Sequence, residues 1–185
     1  MLNMSEIKTG KNILWEGQPF TVLSHEHSKT GRAGAVLRTR LKNLITGAIF
    51  DKTIQGSEKI DEADISKAKA QYLYKEGDNF VFMDNENYEQ FELSKDVLGD
   101  MALYLMDGTE VTILQFNGQP INLELPVKIT LTVTDAPPGI KGDSVSSGDK
   151  LVTLETGLTV TTPLFVKVGD KIIVNTEKGT YVSRA

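Results

Sequence analysis

The chain contains no cysteine, which removes disulfide frameworks, thiolate metal sites and cysteine nucleophiles together and fits a reducing compartment. It also lacks any run approaching the ~20 apolar residues that a membrane-spanning helix needs. Residues 1–11 are mostly polar and carry no apolar stretch of the secretory type, so a cytoplasmic location without membrane contact is expected, and Asn3-Met4-Ser5 is read as a chance glycosylation sequon. Aromatic residues are scarce, with one tryptophan in 185 residues, and a base-stacking groove has little to draw on.

What is present suits several small cores. Apolar residues form 39% of the chain and charged residues 24%, and the length allows one medium domain or two to three small ones. The net charge of -5 argues against nonspecific coating of nucleic acid, which rests on clustered Lys and Arg. Its distribution is uneven: residues 1–66 carry +1, 67–127 carry -7 and 128–185 carry +1.

Short apolar alternations separated by turn dipeptides recur throughout, the pattern of small antiparallel β units. Segments 13–15 and 19–23 flank Glu16-Gly17-Gln18, and 35–41 and 48–53 flank Ile45-Thr46-Gly47, which predicts an SH3-like barrel over residues 1–65. Residues 61–70 read as helix by propensity but lack an apolar stripe, and are taken as a linker entering a strand. Strands at 72–74, 80–83 and 88–93 follow. One helix is then expected, capped by Ser94 with Asp96 in its first turn, with Val97, Leu98, Met101, Tyr104 and Leu105 at helical spacing before Asp107-Gly108. Strands at 111–116 and 121–125 complete an OB-fold over 66–126, and five further strands predict a second OB barrel over 127–185. The fold class expected is all-β, three small barrels. A polar loop at 135–150 is long enough to be functional.

The sharpest local feature is residues 27–50, which hold Lys29, Arg32, Arg38, Arg40 and Lys42 and no acidic residue. Lys29-Thr30-Gly31-Arg32-Ala33-Gly34 falls where a long hairpin turns, and its glycines keep bulk away from whatever the tip enters. Arg32 offers a planar, permanently charged guanidinium suited to phosphate oxygens and RNA bases. Spacing leaves two readings open: an RNA-seeking tip, or a solvated hairpin whose charges blunt an edge strand. The glycines do not make a phosphate loop, since no Gly-Lys-Ser or Gly-Lys-Thr and no helix follow. His25 and His27 share one side of a predicted strand with no third ligand nearby, so they are taken as surface histidines and no metal site is assigned. Asp78, Asp84, Glu86, Glu89 and Glu92 are read as a solvated acidic face. No nucleophile-base pair stands out, and the chain is expected not to be an enzyme.

Taken together, Leu44-Ile45-Thr46-Gly47-Ala48, Gln71-Tyr72-Leu73-Tyr74, Val81-Phe82-Met83-Asp84, Pro138-Gly139-Ile140-Lys141-Gly142-Asp143-Ser144, Leu154-Glu155-Thr156-Gly157, Pro163-Leu164-Phe165-Val166, Val168-Gly169-Asp170 and Tyr181-Val182-Ser183-Arg184 resemble the bacterial elongation factor P family along essentially the whole chain. The resemblance implies an L-shaped mimic of tRNA, built from a KOW-like domain and two OB domains. It implies binding to the 70S ribosome between the peptidyl-tRNA and exit sites, and stimulation of peptide bond formation at consecutive prolines by positioning of the P-site peptidyl-tRNA. The modified tip residue of the family falls on Arg32, with Lys29 as the alternative. An arginine there implies covalent rhamnose added by a tip-modifying enzyme, and no other cofactor. Thr30 and Ala33 stand where the family usually has proline and glycine. Lys29, Thr30, Gly31, Arg32, Ala33, Gly34, Arg38, Arg40 and Lys42 would contact tRNA and ribosomal RNA. Gly142, Asp143 and Ser144 match a Gly-Asp-Thr motif facing mRNA at the exit-site codon and the small subunit. Tyr181 and Arg184 match C-terminal contacts to tRNA or the small subunit. A monomer is expected. Competing readings are a paralogue branch of the same fold, a carrier arm bearing a cofactor on Lys29, and a single-strand-binding OB protein.

Overall fold

Turn chemistry sets the frame of the first sheet. In the computed structural model, which describes residues 1–29, 35–56, 58–138 and 148–185, Glu16 and Gly17 both adopt positive φ. They join β1 (Asn12–Trp15) to β2 (Gln18–Lys29) as a two-residue hairpin turn whose twist matches the strands. β3 (Ala35–Asn43), β4 (Ile49–Gln55) and β5 (Asp61–Glu62) follow, in the order β4-β3-β2-β1-β5. The inward faces bury Ile13, Phe20, Val22, Leu37, Leu41 and Ile54. The chain start closes this core: Ile7 is buried in it, Leu2 and Met4 pack against it, and the Leu2 amide donates to the Ile60 carbonyl at 2.6 Å.

The other two sheets share one topology. β6 (Ile65–Glu76), β7 (Asn79–Asp84), β8 (Gln90–Ser94), β9 (Glu110–Phe116) and β10 (Gln119–Glu124) lie in the order β10-β9-β6-β7-β8. β11 (Lys128–Asp135), β12 (Asp149–Leu154), β13 (Thr159–Pro163), β14 (Lys171–Asn175) and β15 (Thr180–Arg184) lie as β13-β12-β11-β14-β15. In each, the first strand pairs with the second and fourth, the connectivity of an OB barrel. The first strand manages this by bending at a bulge, between Tyr72 and Tyr74 in one sheet and between Val133 and Asp135 in the other. Edge strands approach each other in both, so the sheets curl.

Three local expectations change. Residues 65–70 are already strand, because Ile65 through Gln71 pair with β9 and that ladder overrides the helical propensity of the Ala and Lys residues. β8 begins at Gln90, not residue 88: Tyr88 has φ +60 and is exposed, in a turn led by the buried Asp84, whose Oδ1 accepts the Glu86 amide at 2.8 Å. Asp84 is therefore a structural acceptor and leaves the solvated acidic face.

The expected helix is also broken. Ser94 does cap it, accepting the Val97 amide at 3.4 Å, but α1 covers only Lys95–Leu98, and Gly99 at φ +52 diverts the chain into a 3-10 helix over Gly99–Tyr104. The change of pitch splits the apolar stripe. Leu98 and Leu105 are buried in the second core with Val97 and Met101 against them, whereas Tyr104 is buried in the third core, beside Ile129, Leu131 and Val174. Leu125 and Met106 also pack on that core, and the Thr176 hydroxyl donates to the Pro126 carbonyl at 2.7 Å. The first and second sheets meet at Asn122, a buried side chain that donates to the Leu44 carbonyl at 3.1 Å.

Candidate nucleic-acid interface

The basic residues gain their geometry from the strand period. β3 is paired on both sides, and its alternate residues Leu37, Thr39, Leu41 and Asn43 point into the first barrel. Arg38, Arg40 and Lys42 therefore stand on the opposite face, at intervals of ~7 Å along the strand. Arg38 and Arg40 are exposed and Lys42 is half-buried.

A bulge at Leu23 decides what stands beside them. Register shifts between Val22 and Ser24, so Ser24 and Glu26 face outward opposite Arg40 and Arg38, while His25 and His27 pair with the inward Thr39 and Leu37. On the other flank Asp51 lies opposite Arg40, with its Oδ1 4.0 Å from Nε, and Thr53 lies opposite Arg38. These residues line a shallow groove with Ser24, Glu26, Arg38, Arg40, Asp51 and Thr53 along it. A stretch free of acids in sequence has become a face on which three cations alternate with two carboxylates. Sequence reading missed Glu26 and Asp51 as neighbours because they belong to other strands; strand pairing is the signal that finds them.

The histidines sit as a pair on one side, as their spacing implied, with rings 6.1 Å apart and edge to face. His25 has a local partner, since the Thr9 amide donates to its Nδ1 at 3.2 Å. Among the described residues no group of three or more His, Asp or Glu is gathered to hold a metal.

Lys29 ends β2 opposite Ala35, and Thr30, Gly31, Arg32, Ala33 and Gly34 lie outside the described residues. Leu37 is fully buried, while Ala35 is exposed, and a Cβ added at Gly56 would lie 3.7 Å from the Ala35 carbonyl and from the Met4 sulfur.

At the far end of the chain, Gly142, Asp143 and Ser144 also lie outside the described residues. The loop bearing them leaves β11 at Pro137, whose carbonyl accepts Lys150 Nζ at 3.0 Å, and returns at Gly148, whose carbonyl accepts the Leu164 amide at 3.1 Å. Tyr181 packs against the third core. Arg184 is exposed, pairs with Asp170 at 3.4 Å and lies 6.0 Å above the Phe165 ring. The structure thus gathers Arg184 and the returning strand of the loop around one turn, residues 164–170, which sequence spacing did not bring together.

Comparison with known proteins matches the three units in chain order. The elongation factor P KOW-like domain matches residues 3–60, the elongation factor P OB domain residues 65–123, and the elongation factor P C-terminal domain residues 129–184. Among solved structures, a eukaryotic translation initiation factor 5A from Methanococcus jannaschii is 25% identical, with a TM-score of 0.53 over 68% of this chain and 90% of that one. A translation initiation factor eif-5a family protein from Naegleria fowleri is 14% identical, with a TM-score of 0.46 over 67% and 96%. No helix among the described residues is long and apolar enough to cross a membrane. With its KOW-like and two OB-type units matched nearly end to end, the chain belongs to the elongation factor P family of translation factors.

Proposed function

We propose that the chain binds the 70S ribosome in the cytoplasm, between the peptidyl-tRNA and exit sites, and stimulates peptide bond formation at consecutive prolines. The observation that carries this reading is the outward stripe of Arg38, Arg40 and Lys42 on a strand paired on both sides, whose first residue, Ala35, stands three positions after Arg32 in sequence. Three cations held at fixed intervals on a sheet lose little entropy on meeting phosphates, and they run toward the tip. In this role they hold the acceptor arm of the P-site tRNA while Arg32 orders its end. The factor supplies no reacting group. Its contribution is orientational, holding the peptidyl-tRNA in a reactive pose for chemistry performed by the ribosome.

Arg32 is the residue proposed to carry a covalent sugar, rhamnose, with Lys29 the next position to examine; an intact-mass measurement of native protein reports the modification, and peptide mapping decides between the two positions. Gly142, Asp143 and Ser144 are proposed to face mRNA at the exit-site codon, with Tyr181 and Arg184 contacting tRNA or the small subunit. The chain acts as a monomer in this scheme.

The test is ribosome binding across a salt series. Replacing Arg38, Arg40 and Lys42 together by Gln is expected to flatten the slope of log affinity against log salt by about two to three, at ~0.7 to 0.9 per phosphate contact. It should also lower the rate of triproline synthesis. An unchanged slope and unchanged synthesis would remove this face from the interface.

A further inference from the structure

We infer that Phe165 and Arg184 form a stacking platform for an unpaired RNA base, a contact that rests on the ribosome-binding reading and gives its C-terminal end a recognition chemistry. Apolar side chains of this size are normally placed in a core, and the third core has room for its neighbours: Val166, the next residue, is fully buried. Phe165 is instead 54% exposed. It stands on a turn that is well anchored, not on a loose one. The Gly169 amide donates to the Val133 carbonyl at 2.8 Å, and the Val133 amide donates back to the Asp170 carbonyl at 2.9 Å.

The same turn fixes the guanidinium. Asp170 Oδ2 accepts the Lys167 amide at 2.9 Å, which orients the carboxylate, and its Oδ1 faces Arg184 Nη2 at 3.4 Å. Arg184 is thereby held with its Cζ 6.0 Å from the Phe165 ring centroid. Asp170 acts as a positioning residue. Two exposed cations, Lys167 and Lys171, flank the turn. An exposed aromatic ring with an oriented guanidinium over it, and further positive charge at either side, matches the two needs of single-stranded RNA: a π surface for the base, on the ring or on the guanidinium plane, and donors for the phosphate. Duplex RNA offers no base face, so the platform selects unpaired nucleotides. A protein partner would be expected to bring carboxylates to Lys167 and Lys171 and an apolar side chain to Phe165, and it is the outcome that would overturn the proposal.

Two measurements decide it. In a full-length chain already carrying R38Q, R40Q and K42Q, which silences the hairpin face, fluorescence anisotropy reports binding of a labelled, unstructured RNA octanucleotide and of a duplex of equal length. Unpaired RNA should bind more tightly than duplex. Phe165→Leu should weaken it at least about fivefold with the salt slope unchanged, and Phe165→Tyr should restore it, because stacking needs a ring and releases no counterion. Arg184→Gln should weaken it and flatten the slope by about 0.7. Equal affinity for octanucleotide and duplex, or a Phe165→Leu variant that binds like its parent, overturns the platform. The second measurement places a benzophenone side chain at position 165 of the otherwise unaltered chain on ribosomes. An RNA adduct is expected, and an adduct to protein alone overturns the inference while leaving ribosome binding intact. Absence of any ribosome binding by the chain with its native sequence would instead sink the functional reading, with the octanucleotide series still deciding the platform.

Discussion

Tyr104, with Met106 and Leu125, ties the second and third units together, and its removal has a size that can be worked out. It belongs to the 3-10 helix that follows β8, yet its ring is only 7% exposed because it is packed into the third core. A tyrosine of this kind buries roughly 150 to 250 Å2, worth about 4 to 6 kcal/mol at ~25 cal/mol per Å2. Compactness of the unfolded chain lowers that by ~10 to 40%. Tyr104→Ala should therefore cost about 3 to 4 kcal/mol, in the range of other aromatic truncations in cores. The loss should appear in a unit to which residue 104 does not belong in sequence: hydrogen exchange at Ile129, Leu131 and Val174 should accelerate, and the urea midpoint of the C-terminal transition should fall. A finer check uses Gly179, whose φ is +65 and whose added Cβ would come within 3.3 Å of the Tyr104 oxygen. Gly179→Ala should cost more than the ~1 to 2 kcal/mol of its left-handed backbone, and the excess should vanish in a Tyr104→Phe background. A Tyr104→Ala cost under about 1 kcal/mol with C-terminal amides still protected would show that this ring does not couple the two units.

Further expectations follow from single residues. Glu26→Gln and Asp51→Asn each remove a carboxylate from the arginine face, so binding to arbitrary RNA should rise and its salt slope should steepen, read by filter binding across a salt series. Leu37→Ala should destabilise the first barrel by ~2 to 5 kcal/mol in thermal or urea unfolding, while Arg38→Ala, one residue on and facing outward, should change stability by less than ~0.5 kcal/mol. Tyr72 and Tyr104 both have pKa values raised by burial, with Asp107 and Asp100 respectively adding to the shift. The unfolded chain then loses these protons first. Their contribution to stability should be complete below the ordinary tyrosine value of ~10 and be lost as pH rises through the higher folded values, a decline that Tyr72→Phe and Tyr104→Phe should reduce in alkaline unfolding series.

The barrels were legible because their signals are local. Alternating apolar residues and the Glu16-Gly17 and Asn117-Gly118 turns, all four at positive φ, set strand and turn in the same few residues. What escaped was decided by residues distant in sequence. Residues 65–70 became strand through the ladder to β9, and Tyr104 left its expected stripe when Gly99 changed the helical pitch. The candidate site shows the same division. Strand period alone puts Arg38, Arg40 and Lys42 on one face. The Leu23 bulge, which brings Glu26 onto that face and puts His25 and His27 on the other side of β2, carries no signature in the sequence, since Leu23 looks like any other apolar strand residue. The nearness of Phe165, Asp170 and Arg184 likewise depends on where β15 closes the third sheet.

The most direct test of the proposed function is the rate of triproline synthesis on ribosomes given either the native chain or Arg32→Ala. The fold should be untouched, since the core residues that precede and follow Arg32 in sequence, Val22 and Leu37, lie on the paired strands β2 and β3. Most ribosome binding should persist through Arg38, Arg40 and Lys42. Stimulation of the slow step should be lost, and Arg32→Lys should be nearly as defective, because a lysine keeps the charge but neither the planar donors nor an arginine-linked sugar. Wild-type stimulation by Arg32→Ala at saturating factor would contradict the assignment of the tip and move attention to Lys29.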